Sequence, residues 1–556
     1  MGLVLFALLT TVTSPAEVNW TYIGEERLSS AEKDPSNWLM VNRGYDSKRY
    51  SPLAQITTKN VNNLVPKWTF SLGGRGRQES TPIVNNGVMI VTSASSKLHA
   101  LDARTGTLLW KREADLPDDL RRFLCCGAVN RGAAVLGDTV YYVTADAHLL
   151  AVDARTGKVI WDVKLEDYRA GYTSTGVPLV AKGKVVIGIA GGEFGIRGFL
   201  QAFNAQTGQS LWKTYTIPAP GEPGSETWPP DSDIWQHGGG PTHGTGSYDP
   251  ELNVIYWGTG NPAPVFNGDI RPGDNLYTSG VLALDADTGK IKWFYQWTPH
   301  DVYDYDGVNE MVLVDNIKRP DGTIIEKGLI HADKNGHFYL LDRVRGKIVY
   351  ARPFVHVDSI TVDPSTGKVT PLKWAKPGEP VVACPRGGKD WHPMSYHPGT
   401  GMAYLGAEEM CVRYIRLRMS YQKGPRFGGG THEWLQPSGG HLMAIEVASG
   451  RTAWKYETDL PMRTGILTTA GGLLFAASPN GELMALDAMT GKVIWSSQTG
   501  STIEAPPMTF AIDGKQYLAV VSQGSNKHSP ASRGGPPSPP KVLVFGLRDE
   551  SKTQSK

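Results

Sequence analysis

One short pattern recurs along most of the 556-residue chain. An apolar residue, a variable one, Ala, another apolar residue and Asp or Asn are followed by two variable residues, Thr-Gly and, four residues after the Gly, Trp. Full copies run over residues 98–110, 149–161, 200–212, 281–293 and 483–495. Weaker copies, in which Tyr replaces Trp or Glu replaces Asp, run over residues 338–350 and 442–454.

Each copy of the pattern predicts a β-hairpin. Alternating apolar residues on both sides of the turn are typical of strands, and Asp-x-x-Thr-Gly is a tight-turn sequence in which Gly takes a positive φ and the Asp carboxylate accepts from backbone amides. A single hairpin cannot bury its faces, so hairpins that recur mostly every 40 to 55 residues or so predict stacked four-stranded blades. The Trp is then a large flat group wedged between neighbouring blades.

The number of copies predicts the size of the ring. Seven copies are visible, and Trp68 ends an eighth unit that lacks its own first half. The apolar strand at 541–545 is expected to complete that unit, which closes the ring and removes the open sheet edges. The sequence therefore predicts an all-β, eight-bladed propeller with tryptophan-docking repeats, as a single domain over residues 17–550. Insertions rich in Pro and Gly at 217–240 and 376–432 are expected at the face where ligand binds.

The two ends of the chain and its charge bear on where the protein works. Residues 1–16 hold a short apolar run that predicts a signal peptide, with a buried first strand as the alternative, and residues 551–556 form a polar tail. The formal net charge is +2 and the basic residues are dispersed, which excludes a nucleic-acid-binding face. No segment is long and apolar enough to span a membrane. Export would permit disulfides, so Cys384 and Cys411 are a candidate bridge.

Two adjacent cysteines, Cys125 and Cys126, stand out in a chain that has four. Neighbouring Cα atoms lie about 3.8 Å apart, below the usual disulfide range of roughly 4.4 to 6.8 Å, so a bond between them closes a small, strained ring. Strain of this kind is usually kept at a working site. Two reduced, buried thiols beside a glycine turn fit the pair equally well. The chain has no Cys-x-x-Cys-His, so no covalently attached haem is expected.

Three further motifs follow the cysteine pair in order: Gly-Gly-Glu-Phe-Gly-Ile-Arg-Gly at 191–198, Gly-Thr-Gly-Asn-Pro at 258–262 and Thr-Pro-His-Asp-Val-Tyr-Asp-Tyr-Asp-Gly at 298–307. Together with the repeat, they resemble the quinoprotein alcohol dehydrogenases, the methanol dehydrogenase-like enzymes that use pyrroloquinoline quinone (PQQ). The resemblance covers essentially the whole mature chain. It implies a periplasmic enzyme that oxidises a primary alcohol to the aldehyde by hydride transfer to PQQ and passes electrons to a c-type cytochrome.

Other functions remain open at this stage. The repeat alone fits a non-catalytic propeller scaffold of the cell envelope equally well, although a scaffold has no reason to keep several carboxylates near a strained disulfide. A PQQ-dependent sugar or polyol dehydrogenase keeps the enzyme class and changes the substrate. A homodimer is common in the family, and the sequence leaves the oligomeric state open.

The resemblance also implies a cofactor site. A tricarboxylated quinone needs cations and hydroxyls around its rim and a flat surface on each face. Arg131 matches the family's arginine that pairs a cofactor carboxylate, the Cys125–Cys126 disulfide supplies one face, and Lys334 falls where the family has a catalytic Arg or Lys beside the reactive carbonyls. The other positions that match the cofactor wall are Glu79, Thr175, Ala190, Gly191 and Gly192.

A metal site is implied next to it. Glu193, Asn261 and Asp304 match the family's ligands, all of them oxygen donors suited to a hard cation. Asp304 is also the expected general base, and Asp301 is the rival carboxylate. Asp306 is expected to point the same way as Asp304 in an extended segment and to add a third carboxylate. Lanthanide-dependent relatives carry Asp there, so a lanthanide(III) ion is favoured over Ca²⁺, although sugar-oxidising relatives show a similar second Asp.

The chain departs from the family at two cofactor contacts. His243 stands where most members stack a Trp on the quinone, as in some membrane-bound glucose dehydrogenases. Asp390-Trp391 stands where the family has Asn-Trp, which puts an acid near an anionic cofactor. We expect either that Lys334 offsets this charge or that Asp390 is held protonated. Both changes bear on the substrate class and on redox tuning.

Overall fold

The computed structural model describes residues 18–74, 76–524 and 538–549. The predicted signal peptide at 1–16 and the polar tail at 551–556 lie outside these residues, so the domain bounds remain a prediction. Within the described chain, eight antiparallel sheets supply four strands each to the predicted propeller, and one of them gains a fifth. The predicted all-β propeller is confirmed, and the eight sheets are consistent with the predicted eight blades.

A short segment precedes the blades, with helix α1 (Glu25–Ser29) and strands β1 (Tyr50–Ser51) and β2 (Leu64–Ser71). Blade 1 consists of β3 (Ile83–Asn85), β4 (Val88–Ser93), β5 (Lys97–Asp102) and β6 (Leu108–Arg112). Blade 2 consists of β7 (Ala134–Leu136), β8 (Thr139–Thr144), β9 (His148–Asp153) and β10 (Val159–Lys164). Blade 3 consists of β11 (Leu179–Ala181), β12 (Lys184–Gly188), β13 (Phe199–Asn204) and β14 (Ser210–Tyr215). Blade 4 consists of β15 (Ser247–Asp249), β16 (Val254–Thr259), β17 (Gly280–Asp285) and β18 (Ile291–Gln296).

Blade 5 consists of β19 (Val312–Lys318), β20 (Ile324–Ala332), β21 (His337–Asp342) and β22 (Lys347–Pro353). Five strands outside the blades follow along the chain: β23 (Ile360–Val362), β24 (Val369–Pro371), β25 (Val381–Ala383), β28 (Val412–Arg416) and β29 (Gly430–Trp434). Blade 6 consists of β26 (Ser395–His397), β27 (Met402–Glu409), β30 (Gly439–Glu446) and β31 (Arg451–Thr458). Blade 7 consists of β32 (Leu467–Thr469), β33 (Leu473–Ala477), β34 (Glu482–Asp487) and β35 (Val493–Gln498), with β1 added in parallel to β32. Blade 8 consists of β36 (Met508–Ile512), β37 (Lys515–Ser522), β38 (Lys541–Leu547) and β2.

Blade 8 joins the two ends of the described chain. Strand β2 pairs antiparallel with β38, and Trp68 lies opposite Val544. The prediction that the strand at 541–545 completes the unit ending at Trp68 is confirmed. This pairing gives blade 8 its fourth strand. Backbone hydrogen bonds therefore join the N-terminal strand to the C-terminal strand.

The repeat residues link each blade to the next one. The indole Nε1 of Trp68 in blade 8 donates to the carbonyl of Ala103 in blade 1, at 3.1 Å, and Trp110 in blade 1 donates to Ala154 in blade 2, at 2.9 Å. The same contact recurs around the ring, from Trp161 to Ala205, Trp212 to Ala286, Trp293 to Arg343, Tyr350 to Val447 and Trp454 to Ala488. Between blades 7 and 8, Trp495 packs edge-on against Phe545, with ring centroids 5.7 Å apart. The interpretation of the Trp as an inter-blade wedge is confirmed.

The glycine of each turn serves the next blade as well as its own. Gly491 has φ +72°, and a Cβ at this position would lie 2.5 Å from Cε3 of Trp454 in the preceding blade. The Asp of the same turn, Asp487, accepts from the backbone amides of Met489 and Thr490. The turn sequence therefore encodes both a local conformation and a seat for a neighbouring ring.

We expect Gly491→Ala to destabilise the protein more than Gly514→Ala does. Gly514 has φ +73°, yet no atom lies within 4 Å of its Cβ position. Both substitutions carry the left-handed backbone penalty of about 1–2 kcal/mol, whereas Gly491→Ala adds the cost of forcing an overpacked contact, about 1–3 kcal/mol. Melting temperatures measured at one scan rate check this, and equal losses would contradict the wedge.

The two insertions reach the loops that carry predicted site residues. The first ends at Gly240, whose amide donates to the carbonyl of Asn261 at 2.9 Å. The second contributes β25, β28 and β29, which form a three-stranded sheet tied down by the Cys384–Cys411 disulfide. In this sheet the hydroxyl of Tyr414 donates to the carbonyl of Tyr303 at 3.2 Å. Among the described residues, no helix has the length and apolar character needed to cross a membrane.

Candidate functional site

Two carboxylates meet one buried lysine at the centre of the site. Asp304 and Asp306 lie in the loop between β18 and β19, and Lys334 lies in the turn between β20 and β21. The Nζ atom of Lys334 is 3.3 Å from Oδ2 of Asp304 and 3.1 Å from Oδ2 of Asp306. The lysine side chain is only 4% exposed, so it is not a solvated turn lysine.

The loop is shaped by Asp301, the rival carboxylate. Its side chain is buried and accepts from the backbone amides of Tyr303 at 2.8 Å and Tyr305 at 2.9 Å. Asp304 has φ +69°, so the expected extended path is wrong at this residue. The loop instead curls around the Asp301 carboxylate, and this turn still brings Asp304 and Asp306 to the same cation. Asp301 thus acts as the core of the loop through hydrogen bonds from the loop's own backbone.

Asn261 and Glu193 complete the group of oxygen donors. The backbone amide of Asn261 donates to Oδ1 of Asp306 at 3.0 Å. The side-chain oxygen of Asn261 is buried without a hydrogen-bond partner among the described residues. Glu193 follows Gly192, where a Cβ would lie 3.2 Å from that unpaired oxygen. At Gly260 a Cβ would lie 2.5 Å from Oδ1 of Asp306. The two glycines therefore keep open a cradle of oxygen atoms.

The cradle holds three carboxylates, and Lys334 pairs with two of them. Burial, with Asp304 and Asp306 close by, raises the pKa of Glu193 to about 7. Burial also raises the pKa of Asp304. At Asp306 burial is opposed by the charge of Lys334 and by the hydrogen bond from the Asn261 backbone, among other contacts, and the net effect is a lower pKa. Negative charges held close together favour the binding of a positive ion, because the ion relieves their repulsion. Three carboxylates and an unpaired amide oxygen fit a hard cation.

Arg131 organises a second group of side chains. Its guanidinium is 2.8 Å from the Glu79 carboxylate, donates to Oγ1 of Thr175 at 2.7 Å and lies 5.1 Å from the ring centroid of Trp391. Glu79, Arg131, His243 and Trp391 line one cavity. The Nε atom of Arg131 is buried with no hydrogen-bond partner among the described residues. This wall therefore still has a cationic donor to offer a ligand.

Ala190, Gly191 and Gly192 link this wall to Glu193. Ala190 forms a β-bridge with Thr173, and Gly191 has φ +119°. A Cβ at Gly191 would lie 2.0 Å from the Gly171 carbonyl oxygen, so the sharp turn into Glu193 requires glycine.

The adjacent cysteines are bonded to each other, and both are exposed. The alternative of two reduced, buried thiols does not hold in the structure. The carbonyl of Cys125 accepts from Arg426 at 3.0 Å, and the Arg426 guanidinium lies 5.9 Å from the ring centroid of Phe194. The disulfide is thereby tethered beside the turn that carries Glu193.

The two departures from the family pattern also lie among these groups. Burial lowers the pKa of His243 to about 4, so this ring is neutral near pH 7. Burial opposes ionisation of Asp390, but the charges of Lys334 and Arg386 outweigh it and lower its pKa. Of the two expectations for Asp390, the structure favours charge compensation by Lys334 over a protonated acid.

Sequence reasoning missed Arg386. Its guanidinium lies 3.7 Å from Oδ2 of Asp304, and it follows Cys384 by two residues in the second insertion. The available signal was a basic residue next to a candidate bridge in an insertion expected over the site.

Comparison with known proteins assigns the family. The model of the PQQ glucose/ethanol/alcohol dehydrogenase β-propeller domain matches residues 38–370 and 427–518. The chain belongs to the PQQ-dependent alcohol dehydrogenases. This confirms the resemblance and makes the protein an oxidoreductase, so the scaffold alternative is set aside.

Individual relatives agree with this family. A quinoprotein alcohol dehydrogenase of Pseudomonas putida is 39% identical over 94% of this chain and 91% of its own length. A lanthanide-dependent methanol dehydrogenase of Methylacidiphilum fumariolicum is 37% identical over 89% of this chain and 86% of its own length. A solved europium-containing methanol dehydrogenase is similar with a TM-score of 0.87 and 34% identity, covering 94% of this chain and 100% of that one.

Proposed function

We propose that this PQQ-dependent dehydrogenase oxidises a primary alcohol to the aldehyde at the cradle formed by Glu193, Asn261, Asp304 and Asp306, with Lys334 beside it. The observation that carries the proposal is the unpaired, buried oxygen of Asn261 among three carboxylates. A structural acidic cluster would satisfy that oxygen with a donor from the protein.

Each group at the site has its own role in the proposed oxidation. PQQ, when bound, supplies the hydride acceptor, and a metal ion beside it supplies a Lewis acid for the accepting carbonyl. Asp304 would accept the hydroxyl proton while a hydride leaves the carbinol carbon for the acceptor. The alcohol would thus lose two electrons and two protons in all, one proton to Asp304 and the other within the hydride, and leave as the aldehyde. Lys334 holds the Asp304 carboxylate in place, at 3.3 Å, and adds positive charge where the acceptor gains electrons.

The cofactor wall is assigned to the residues around Arg131. Arg131 would pair a cofactor carboxylate through bidentate geometry, with Glu79 and Thr175 holding its guanidinium in place. The other proposed contacts are Ala190, Gly191, Gly192, Asp390 and Trp391, with Cys125–Cys126 on one face and His243 on the other. The neutral state of His243 suits a ring that packs against a flat apolar surface.

A lanthanide(III) ion is the metal that we propose. Glu193, Asp304 and Asp306 bring three negative charges to one cradle, a better match to a trivalent than to a divalent ion. Similarity to a lanthanide-dependent and to a europium-containing methanol dehydrogenase supports the choice. We further propose a periplasmic location, a c-type cytochrome as electron acceptor and a homodimer. A sugar or polyol is the second candidate substrate, because the matching family includes glucose dehydrogenases and His243 leaves more room than Trp.

Reconstitution tests the proposal. We expect the purified protein to develop the absorbance of bound PQQ, and to reduce an artificial dye with primary alcohols, when PQQ is added with La³⁺, and less well with Ca²⁺. A panel of primary alcohols, polyols and sugars, assayed with each metal, separates the two substrate candidates. Absence of both a cofactor spectrum and dye reduction with either metal would contradict the proposed site.

A further inference from the structure

Arg386 is a cation at the site whose hydrogen-bonding capacity is unused. Its backbone amide donates to the carbonyl of Met410 at 2.7 Å, and the neighbouring Cys384–Cys411 disulfide ties down the same segment. Its guanidinium lies 3.7 Å from Oδ2 of Asp304, beyond hydrogen-bond distance. Arg386 is therefore placed by its backbone, while its side chain points at the catalytic carboxylate.

The Arg386 side chain donates no hydrogen bond to any described residue, although it is only 16% exposed. A guanidinium carries five N–H donors, and largely buried donors are normally paired. By contrast, Lys334 lies within hydrogen-bond distance of Asp304 and Asp306, and Arg131 donates to Thr175. Arg386 thus differs from Lys334 and Arg131 in that its side chain donates no hydrogen bond at all to a described residue.

A second guanidinium lies close to the same exposed aromatic ring. Arg386 and Arg463 lie 5.5 Å and 5.4 Å from the ring centroid of Trp434. Arg463 donates to Glu408 at 2.8 Å, and its Nε is buried without a partner among the described residues. Trp434 is 47% exposed, so the two arginines flank a ring that solvent reaches, and Arg386 extends from this ring toward Asp304.

We propose that Arg386, supported by Arg463, binds a carboxylate of the substrate, so that the preferred alcohol is a short hydroxy acid. The planar fork of arginine matches a carboxylate bidentately and gains much less from a neutral alcohol. The carboxylates whose charges act on Arg386 are Asp304, Asp390 and Glu408. Glu408 already accepts from Arg463, and a metal ion in the cradle would take over part of the compensation of Asp304. This inference rests on the proposed function, since it places a hydroxyl at Asp304.

The geometry limits the length of the substrate. The hydroxyl lies about 2.8 Å from Asp304 and the carboxylate about 2.8 Å from Arg386, as in ordinary charge-assisted hydrogen bonds. Because the two protein groups are themselves 3.7 Å apart, a short hydroxy acid reaches both of them, whereas the two contacts would draw together the ends of a long one. The carboxylate of a bound cofactor offers Arg386 the same chemistry, so the experiment must separate the two sources.

The test compares two substrates of the same shape. 4-Hydroxybutanoate and 4-methyl-1-pentanol differ in the replacement of a carboxylate by an isopropyl group. In the PQQ- and metal-loaded wild type, we expect kcat/KM to be roughly 10- to 100-fold higher for the hydroxy acid, the range for a charge-assisted hydrogen bond. Arg386→Gln removes this preference through KM, and Arg386→Lys restores part of it. The control is Arg413→Gln, which alters an exposed arginine paired with Glu433 and leaves the preference intact.

Further measurements keep the proposal open to refutation. Equal kcat/KM for the two substrates in the wild type overturns it. So does weaker PQQ binding in Arg386→Gln with an unchanged substrate ratio, because the carboxylate would then belong to the cofactor. Should the variant misfold, inhibition of wild-type 1-butanol oxidation by butanoate, compared with butanamide, decides. If no alcohol is oxidised, the proposed function fails, and butanoate binding by calorimetry still tests the subsite.

Discussion

Asp304→Asn is expected to lower kcat by roughly 100- to 10,000-fold, the range for loss of a positioned general base. The amide keeps an oxygen for the metal cradle and keeps the shape of the loop, but it cannot accept the hydroxyl proton. Lys334 and the Asp301 core of the loop are untouched, so the left-handed turn at residue 304 remains. The measurement is dye-coupled turnover at saturating alcohol, with bound PQQ followed by absorbance.

Asp269→Asn serves as the matched control, because Asp269 is a half-exposed carboxylate that pairs with Arg416 of the second insertion. It is expected to leave kcat unchanged. Retention of more than a tenth of the wild-type kcat in Asp304→Asn, with PQQ and metal bound, would assign the proton transfer to another group.

Asp306→Ala is expected to abolish lanthanum-dependent activity and to leave calcium-dependent activity measurable. The Asp306 side chain supplies one of the three carboxylates and accepts a hydrogen bond from the Asn261 backbone amide at 3.0 Å. Its loss therefore removes a negative charge and a contact that positions Asn261, a second ligand. Affinity for La³⁺ should fall by about 100-fold or more, since ligand charge sets the affinity of such oxygen sites. Metal content by mass spectrometry and La³⁺ titration of the purified variant measure this independently of turnover.

Asp306→Asn separates charge from shape. The amide oxygen still accepts from Asn261 while the negative charge is lost, so La³⁺ affinity is expected to fall and Ca²⁺ affinity to change less. Full lanthanum-dependent activity in Asp306→Ala would show that Asp306 is not a ligand.

Some features of the fold and the site were predictable from the sequence, and others were not. The Asp, Gly and Trp of the repeat act over short distances along the chain and at one recurring position of the next blade, so their spacing was enough to predict hairpins, wedges and the closing strand. The cradle was predicted by resemblance to a family. Its logic was wrong in one respect, because Asp304 is left-handed rather than extended. The alternation of residues along a strand does not indicate that the backbone amides of Tyr303 and Tyr305 donate to the buried Asp301 carboxylate, which curls the loop.

The sequence by itself determined the fold and the types of group that the site contains, because a repeat specifies the same contact many times over. Only the tertiary structure decided which charges meet. Lys334 reaches Asp304 and Asp306 across separate loops, Asp390 is ionised beside that lysine, and Arg386 enters the site from an insertion. Charge interactions act through space between residues far apart in the chain, so neither their partners nor their unused donors appear in the order of the residues.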